Sequence, residues 1–359
     1  MKNLICVLVV GLVLAGNNPA RGEELPPEVQ QSIDKGLAWI AKTQSPDGHW
    51  EANGGQYPTT MTALGGMALL MEGSTIRDGK YADNIRKAVT WFMDRSQRNG
   101  LLGNPNNPTE SSRYIYGHGY GMLFLSQIYG EEEDMERRKK LEKILTKAVE
   151  FTGKAQTNRG GWGYVSSADG GGFDEGSTTI TQLQALRAAR NAGIPVPKSI
   201  IDNAQKYLRD ATTARGALRY SLASGGHEGG PALVAAAIAG GFSTGEYNSD
   251  LVKKWFTYCK TAIPLGQNGR VGHDEYTHYY YAQSLYLLGD NGYAKLFPQS
   301  AANDRLTWTK YREAMFRQLI KQQGPDGSWN SGNIGAIYST SINLTILQLE
   351  KGTLPIYQR

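Results

Sequence analysis

Along this chain, two kinds of apolar pattern alternate. The first is amphipathic: Ile33, Leu37, Ile40 and Ala41 recur at helical spacing with polar residues between them. The second is apolar on nearly every face, as in the run from Thr59 to Met71. An amphipathic helix keeps one side in water, whereas a helix apolar all round has to be covered on every side. The same alternation predicts further outer helices near 81–96, 136–155, 198–210, 249–261 and 308–322. Inner, fully covered helices are predicted near 116–129, 177–192, 231–241, 276–289 and 338–350. Strand signals are confined to short loop segments at Tyr164 and Leu218, so the chain reads as all-α. Six helix pairs closed on themselves give a ring of inner helices inside a ring of outer ones.

A short motif punctuates the pairs. Gln323-Gly-Pro-Asp-Gly-Ser-Trp329 repeats the spacing of Gln44-Ser-Pro-Asp-Gly-His-Trp50 and Gln156-Thr-Asn-Arg-Gly-Gly-Trp162, each a Gln-x3-Gly-x-Trp. Gly supplies a backbone turn with positive φ, Trp a large apolar face, and Gln a partner for free backbone groups at the helix end. Decayed copies fall between them: Ser96-x3-Gly100-x-Leu102, Thr212-x3-Gly216-x-Leu218 and Leu265-x3-Gly269-x-Val271. The period of roughly 50 to 60 residues marks a repeat architecture.

The amino terminus changes the compartment. Met1-Lys-Asn is followed by an apolar run from Leu4 to Ala15 and by Ala20-Arg21-Gly22, the layout of a secretory leader cut after Gly22. The run is too short for a membrane span. The expectation is an exported, soluble protein, periplasmic or secreted, with one domain over residues 23–359 and repeats over about 28–352. Cleavage removes Lys2 and Arg21 and lowers the net charge from +5 to about +3, too little to attract nucleic acid or membrane. Cys6 leaves with the leader, so Cys259 is alone and reads as a packed thiol.

The Gln-x3-Gly-x-Trp copies and six helix pairs resemble the α6/α6 toroid of squalene-hopene cyclases and protein prenyltransferase β subunits, over nearly the whole mature chain. The resemblance implies a central cavity for a hydrophobic, isoprenoid-like ligand. The Asp-x-Asp-Asp with which those cyclases protonate an alkene is not in this sequence, nor is the Asp-x-Cys half of the prenyltransferase zinc triad. Phe173-Asp174-Glu175 is the nearest acidic pair at an inner-helix start, which makes Asp174 and Glu175 the candidate acids. Asp174, Asp274, Ser177 and Thr340 are equally suited to capping helix N-termini.

Parallel inner helices would gather their N-termini at one mouth. Tyr116, His118, Tyr120, Tyr276 and Tyr338 fall at these entries and are the candidate ligand-binding residues, since aromatic faces line pockets and stabilise cations. Imidazole with carboxylate suits zinc, and His227, Glu228, Asp274 and His278, from adjacent loops, are the candidate metal ligands. Two main functions stay open, with a carbohydrate-active enzyme as a third, since α6/α6 barrels with carboxylates and aromatics also suit sugars. One is a cyclase- or transferase-like protein binding, and processing, a hydrophobic small molecule or lipid. The other is a non-catalytic toroid that binds a protein, peptide or glycan. Fold alone does not choose between them.

Overall fold

The computed structural model describes residues 25–265 and 273–358. The leader, and most of the fifth, decayed motif at Leu265–Val271, lie outside the described residues. Among the described residues there are thirteen α-helices: α1 (Pro27–Lys42), α2 (Pro58–Met71), α3 (Ala82–Arg95), α4 (Tyr114–Tyr129), α5 (Met135–Ala155), α6 (Gly176–Asn191), α7 (Lys198–Ala211), α8 (Pro231–Ser243), α9 (Asp250–Ala262), α10 (Asp274–Leu288), α11 (Gly292–Leu296), α12 (Trp308–Gln322) and α13 (Ala336–Gln348). Pairing between extended segments is limited there to isolated bridges such as Trp162 with Glu175.

The two apolar patterns sort the helices into two rings. All fourteen residues of α2 are buried, whereas α7 buries only Ile200, Ala204, Tyr207, Leu208 and Ala211. The inner helices touch in the order α2, α4, α6, α8, α10, α13, and α13 returns to α2. They run parallel. The starts of α2 and α4 meet where Thr59 packs on Gly117, the starts of α6 and α8 where Leu233 packs on Gly176, and the far ends of α13 and α2 where Gln348 donates to the Ala68 carbonyl. Pro at the first position opens α2 and α8, where a missing N–H costs nothing.

Five inner helices begin one or two residues before the predicted points, at Pro58, Tyr114, Gly176, Asp274 and Ala336. The inner helix α8 runs two residues further than expected, to Ser243. The short α11 was not anticipated, since five residues give no readable period.

The three strict motif copies make one set of contacts. Gln44, Gln156 and Gln323 each donate to the carbonyl of their own motif glycine and to a carbonyl of the next outer helix, those of Asn84, Ile200 and Ser32. The indole N–H of Trp50, Trp162 and Trp329 donates to a carbonyl ten residues upstream, in the last turn of the preceding outer helix, at 2.8 Å in each case. Their backbone N–H groups donate to Thr62, Thr179 and Thr340 of the following inner helix. Gln323 reaches Ser32 on α1, so the last repeat is fastened to the first and the ring closes.

The decayed copies keep the glycine. Gly100 and Gly216 have φ of +95° and +87°, and a Cβ on either would lie 2.1 Å and 2.6 Å from the carbonyl oxygens of Lys147 and Lys254. The same approach occurs at Gly48, Gly160 and Gly327. Backbone of one outer helix therefore rests on each turn. Cys259 is fully buried on α9, and burial pushes its thiol well above the usual range, which leaves it unreactive.

Candidate functional site

The mouth at the inner-helix N-termini carries one half-buried tyrosine from each repeat: Tyr57, Tyr116, Tyr164, Tyr220, Tyr276 and Tyr338. Two neighbouring pairs touch. The Tyr116 and Tyr164 rings lie 6.0 Å apart, and the Tyr164 and Tyr220 hydroxyls are hydrogen-bonded. The Arg113 guanidinium lies 4.6 Å from the Tyr164 ring centre, and His227 stacks on Tyr220 at 5.2 Å. Tyr57 holds a left-handed backbone, φ +53°, at the entry to α2. Tyr57, Tyr164 and Tyr220 were not singled out from sequence because they sit in loops. Their recurrence once per repeat was the available signal.

Glu175 forms the buried acid of this mouth. It is 1% exposed and caps α6, its Oε2 accepting from the Thr178 N–H at 3.0 Å, from the Ser177 hydroxyl and, at 3.5 Å, from Tyr116. Burial raises its pKa, and these hydrogen bonds pull the other way. Asp174 is placed differently. Its Oδ1 accepts from the Tyr207 hydroxyl at 3.1 Å, the Ser221 hydroxyl at 3.2 Å, and the N–H groups of Leu222 and Ala223 at 2.7 and 3.3 Å. The Arg159 guanidinium stands 3.8 Å from Oδ2. Asp174 thus braces α7, through Tyr207, and the 221–223 loop that directly follows the mouth residue Tyr220.

Below the mouth, side chains cross the ring axis. The Tyr120 hydroxyl on α4 meets that of Tyr280 on the opposite helix α10, and Tyr280 also meets Thr181 on α6 at 3.4 Å. Gln184 on α6 donates to Gln283 on α10 at 2.8 Å. From the far end the tail enters: the turn Pro355–Tyr357 packs on α6, and the buried Tyr357 hydroxyl lies 3.2 Å from that of Tyr279. Burial raises these phenols, Tyr280 and Tyr357 to about 12, so they act as neutral hydrogen-bonding groups. The Tyr276 hydroxyl is buried without a partner. Tyr276 packs edge-on against Tyr280 at 4.8 Å.

His118 does not reach this assembly. Its Nδ1 accepts from the Leu102 N–H at 3.2 Å, the bond that Thr62, Thr179 and Thr340 accept in the strict repeats, and Nε2 meets Thr152 at 2.9 Å. Its ring packs on Phe151 of α5. His118 is therefore a structural substitute for the motif threonine, and not a mouth residue. Burial pushes it down to about 3.

The proposed zinc ligands also fail to assemble. His227 is exposed on Tyr220, and Glu228 pairs with Arg215. Asp274 and His278 do approach, at 3.6 Å, but His278 Nδ1 is taken by the Tyr311 hydroxyl on α12. Among the described residues no three His, Cys, Asp or Glu side chains are gathered to hold a metal ion. The reason is orientation: His278 lies on the side of α10 that faces the outer ring. Asp274 begins α10 without capping it, and the residue before it, His273, is left-handed at φ +55°.

No family model matches the sequence. Among curated proteins, human lanosterol synthase is 28% identical over 93 residues, 26% of this chain and 13% of that protein. The chain thus matches only a small part of its curated relative. Among solved structures, the type II terpene cyclase MstE from Scytonema superposes with a TM-score of 0.58 at 13% identity, covering 91% of this chain and 99% of its own. The same cyclase has been solved with geranylgeranyl dihydroxybenzoate as substrate, TM-score 0.54. The GH76A α-1,6-mannanase from Salegentibacter sp. HEL1_6 gives 0.61 at 10% identity, covering 90% and 99%. Among the described residues, no helix is long and apolar enough to cross a membrane. In fold, the chain is a squalene cyclase-like α/α toroid of paired inner and outer helices.

Proposed function

We propose that this protein is a non-catalytic binding module that holds a glycan across its tyrosine mouth. The observation that carries the reading is the crossing of the axis by Tyr120 and Tyr280, with Tyr357 filling it from the opposite end. A ligand then rests on the mouth instead of descending between the inner helices. The mouth presents flat aromatic faces beside hydroxyls, the combination that stacks on sugar rings and bonds their hydroxyl groups. Asp174, one of the two candidate acids, already has its Oδ1 occupied by four donors. The amino-terminal leader pattern fits export of such a module, and the intact mass of the mature protein, expected to start at Glu23, tests it.

A second reading keeps the isoprenoid ligand. It is favoured by Glu175, a buried carboxyl whose raised pKa suits a proton donor, with Tyr276 and Tyr338 as the aromatic faces towards a developing cation. One titration separates the two. Tyrosine-labelled protein is followed by NMR against oligosaccharides, starting with α-1,6-mannotriose, and against geranylgeranyl dihydroxybenzoate. The glycan reading expects saturable shifts at Tyr164 and Tyr220 that weaken roughly tenfold in Tyr164→Ala, given ~1.4 kcal/mol for a lost stacking face. Silence towards every glycan, with uptake and turnover of the isoprenoid abolished by Glu175→Gln, would overturn it in favour of the second.

A further inference from the structure

Outside the inner ring, a cavity of about 290 Å³ opens between the C-terminal end of α3, the first turn of α2 and the 103–110 loop. Its walls include Trp91, Phe92, Asp94, Arg95 and Gln97, and its lining reaches Glu110. Glu110 is only 3% exposed. Its Oε1 accepts from the Asn104 N–H at 2.7 Å and the Thr59 hydroxyl at 3.0 Å, and its Oε2 accepts the Thr59 N–H at 3.3 Å. All three donors are neutral. No cationic side chain pairs with Glu110 among the described residues, whereas the other charges of the cavity are already matched. Asp94 pairs with Lys140 at 3.3 Å, and Arg95 pairs with Asp47 at 3.1 Å while lying over the Trp91 ring.

We infer that this cavity binds a primary ammonium group on an apolar stem, the chemistry of a lysine side chain. A buried carboxylate without a counter-charge is costly, and a cation is the ligand that compensates it. Glu110 Oε1 already has two donors and Oε2 one. The remaining acceptor site suits a compact point donor better than a bidentate guanidinium fork. Trp91 and Phe92 supply the apolar wall for the stem, and the C-terminal end of α3 adds its partial negative charge. The inference does not depend on what the tyrosine mouth binds.

The test is an NMR titration of the Trp91 indole and the Asn104 amide with n-butylammonium chloride, with n-butanol at matched ionic strength as the neutral control. Saturable shifts in the millimolar range are expected with the ammonium and not with the alcohol. Glu110→Gln should weaken binding by about tenfold or more. Because that change also touches the start of α2, exposed Gln97→Lys serves as the second variant. Its own ammonium should enter the cavity, block n-butylammonium and raise the melting temperature. Equal response to n-butanol, no saturation, or unchanged binding in Gln97→Lys would each overturn the inference.

Discussion

The hydroxyls of Tyr120 and Tyr280 meet at 3.3 Å although their helices, α4 and α10, stand on opposite sides of the inner ring. That contact sets the depth to which anything entering the mouth can go. Tyr280→Phe removes the hydrogen bonds to Tyr120 and Thr181 while leaving the ring in place. A loss of about 1–2 kcal/mol is expected in urea unfolding. A double-mutant cycle with Tyr120→Phe should show coupling, since the two hydroxyls share one bond. Ligand binding at the mouth should be unaffected.

The tail should matter more than its length implies. Tyr357 is 2% exposed and Leu354 7%, and Thr353 donates to the Met71 carbonyl at the far end of α2. Tyr357→Ala should cost about 3 kcal/mol or more, as for other large-to-small core changes, while Tyr357→Phe should cost only the hydrogen bond to Tyr279. Equal losses in the two variants, measured by thermal unfolding, would show that packing plays no part.

Glycine substitutions separate backbone strain from steric contact. At Gly327, φ is +93° and a Cβ would sit 2.6 Å from the Lys35 carbonyl oxygen, across the seam where the last repeat meets the first. Gly193 has a similar φ of +86° but open space around it. Gly193→Ala should therefore cost about 1 kcal/mol, the price of the left-handed backbone alone. Gly327→Ala should cost well beyond that, since α1 would have to move. Chemical denaturation of both variants measures the difference.

His118 makes the fold acid-sensitive. Folding holds its imidazole neutral down to about 3, while the unfolded chain takes up the proton near the ordinary value of 6.5. The unfolded state therefore binds more protons between those values, and stability falls as pH falls through that window, by at most about 1.4 kcal/mol per pH unit. Asn at 118 places an acceptor near the Leu102 N–H and does not titrate. His118→Asn should be less stable than wild type at neutral pH, and the gap should narrow on acidification. A constant gap in melting temperature across that range would sink this account.

The alternation of apolar patterns was enough to place all twelve long helices, because covering an all-apolar helix requires an inner ring. The strict motifs were legible as turns, and the spacing alone located the decayed glycines at 100 and 216. Side-chain direction was not legible. Tyr279, Tyr280 and Tyr281 are consecutive and all buried, yet Tyr280 turns to the axis, Tyr279 to the tail, and Tyr281 to Tyr311 on α12. His118 and His278 were read as mouth residues from their position at helix starts. Both sit on the helix side turned outward, a difference of one residue's rotation.

The bond from Gln323 to Ser32 also limits how this architecture can change. An open array of repeats can gain or lose a unit at either end, since each unit contacts only its neighbours. Here the sixth unit already serves as the neighbour of the first, so there is no terminal unit to extend. A seventh pair would have to widen the whole circle and separate Tyr120 from Tyr280. Copy number and bore are therefore a single inherited variable in this protein.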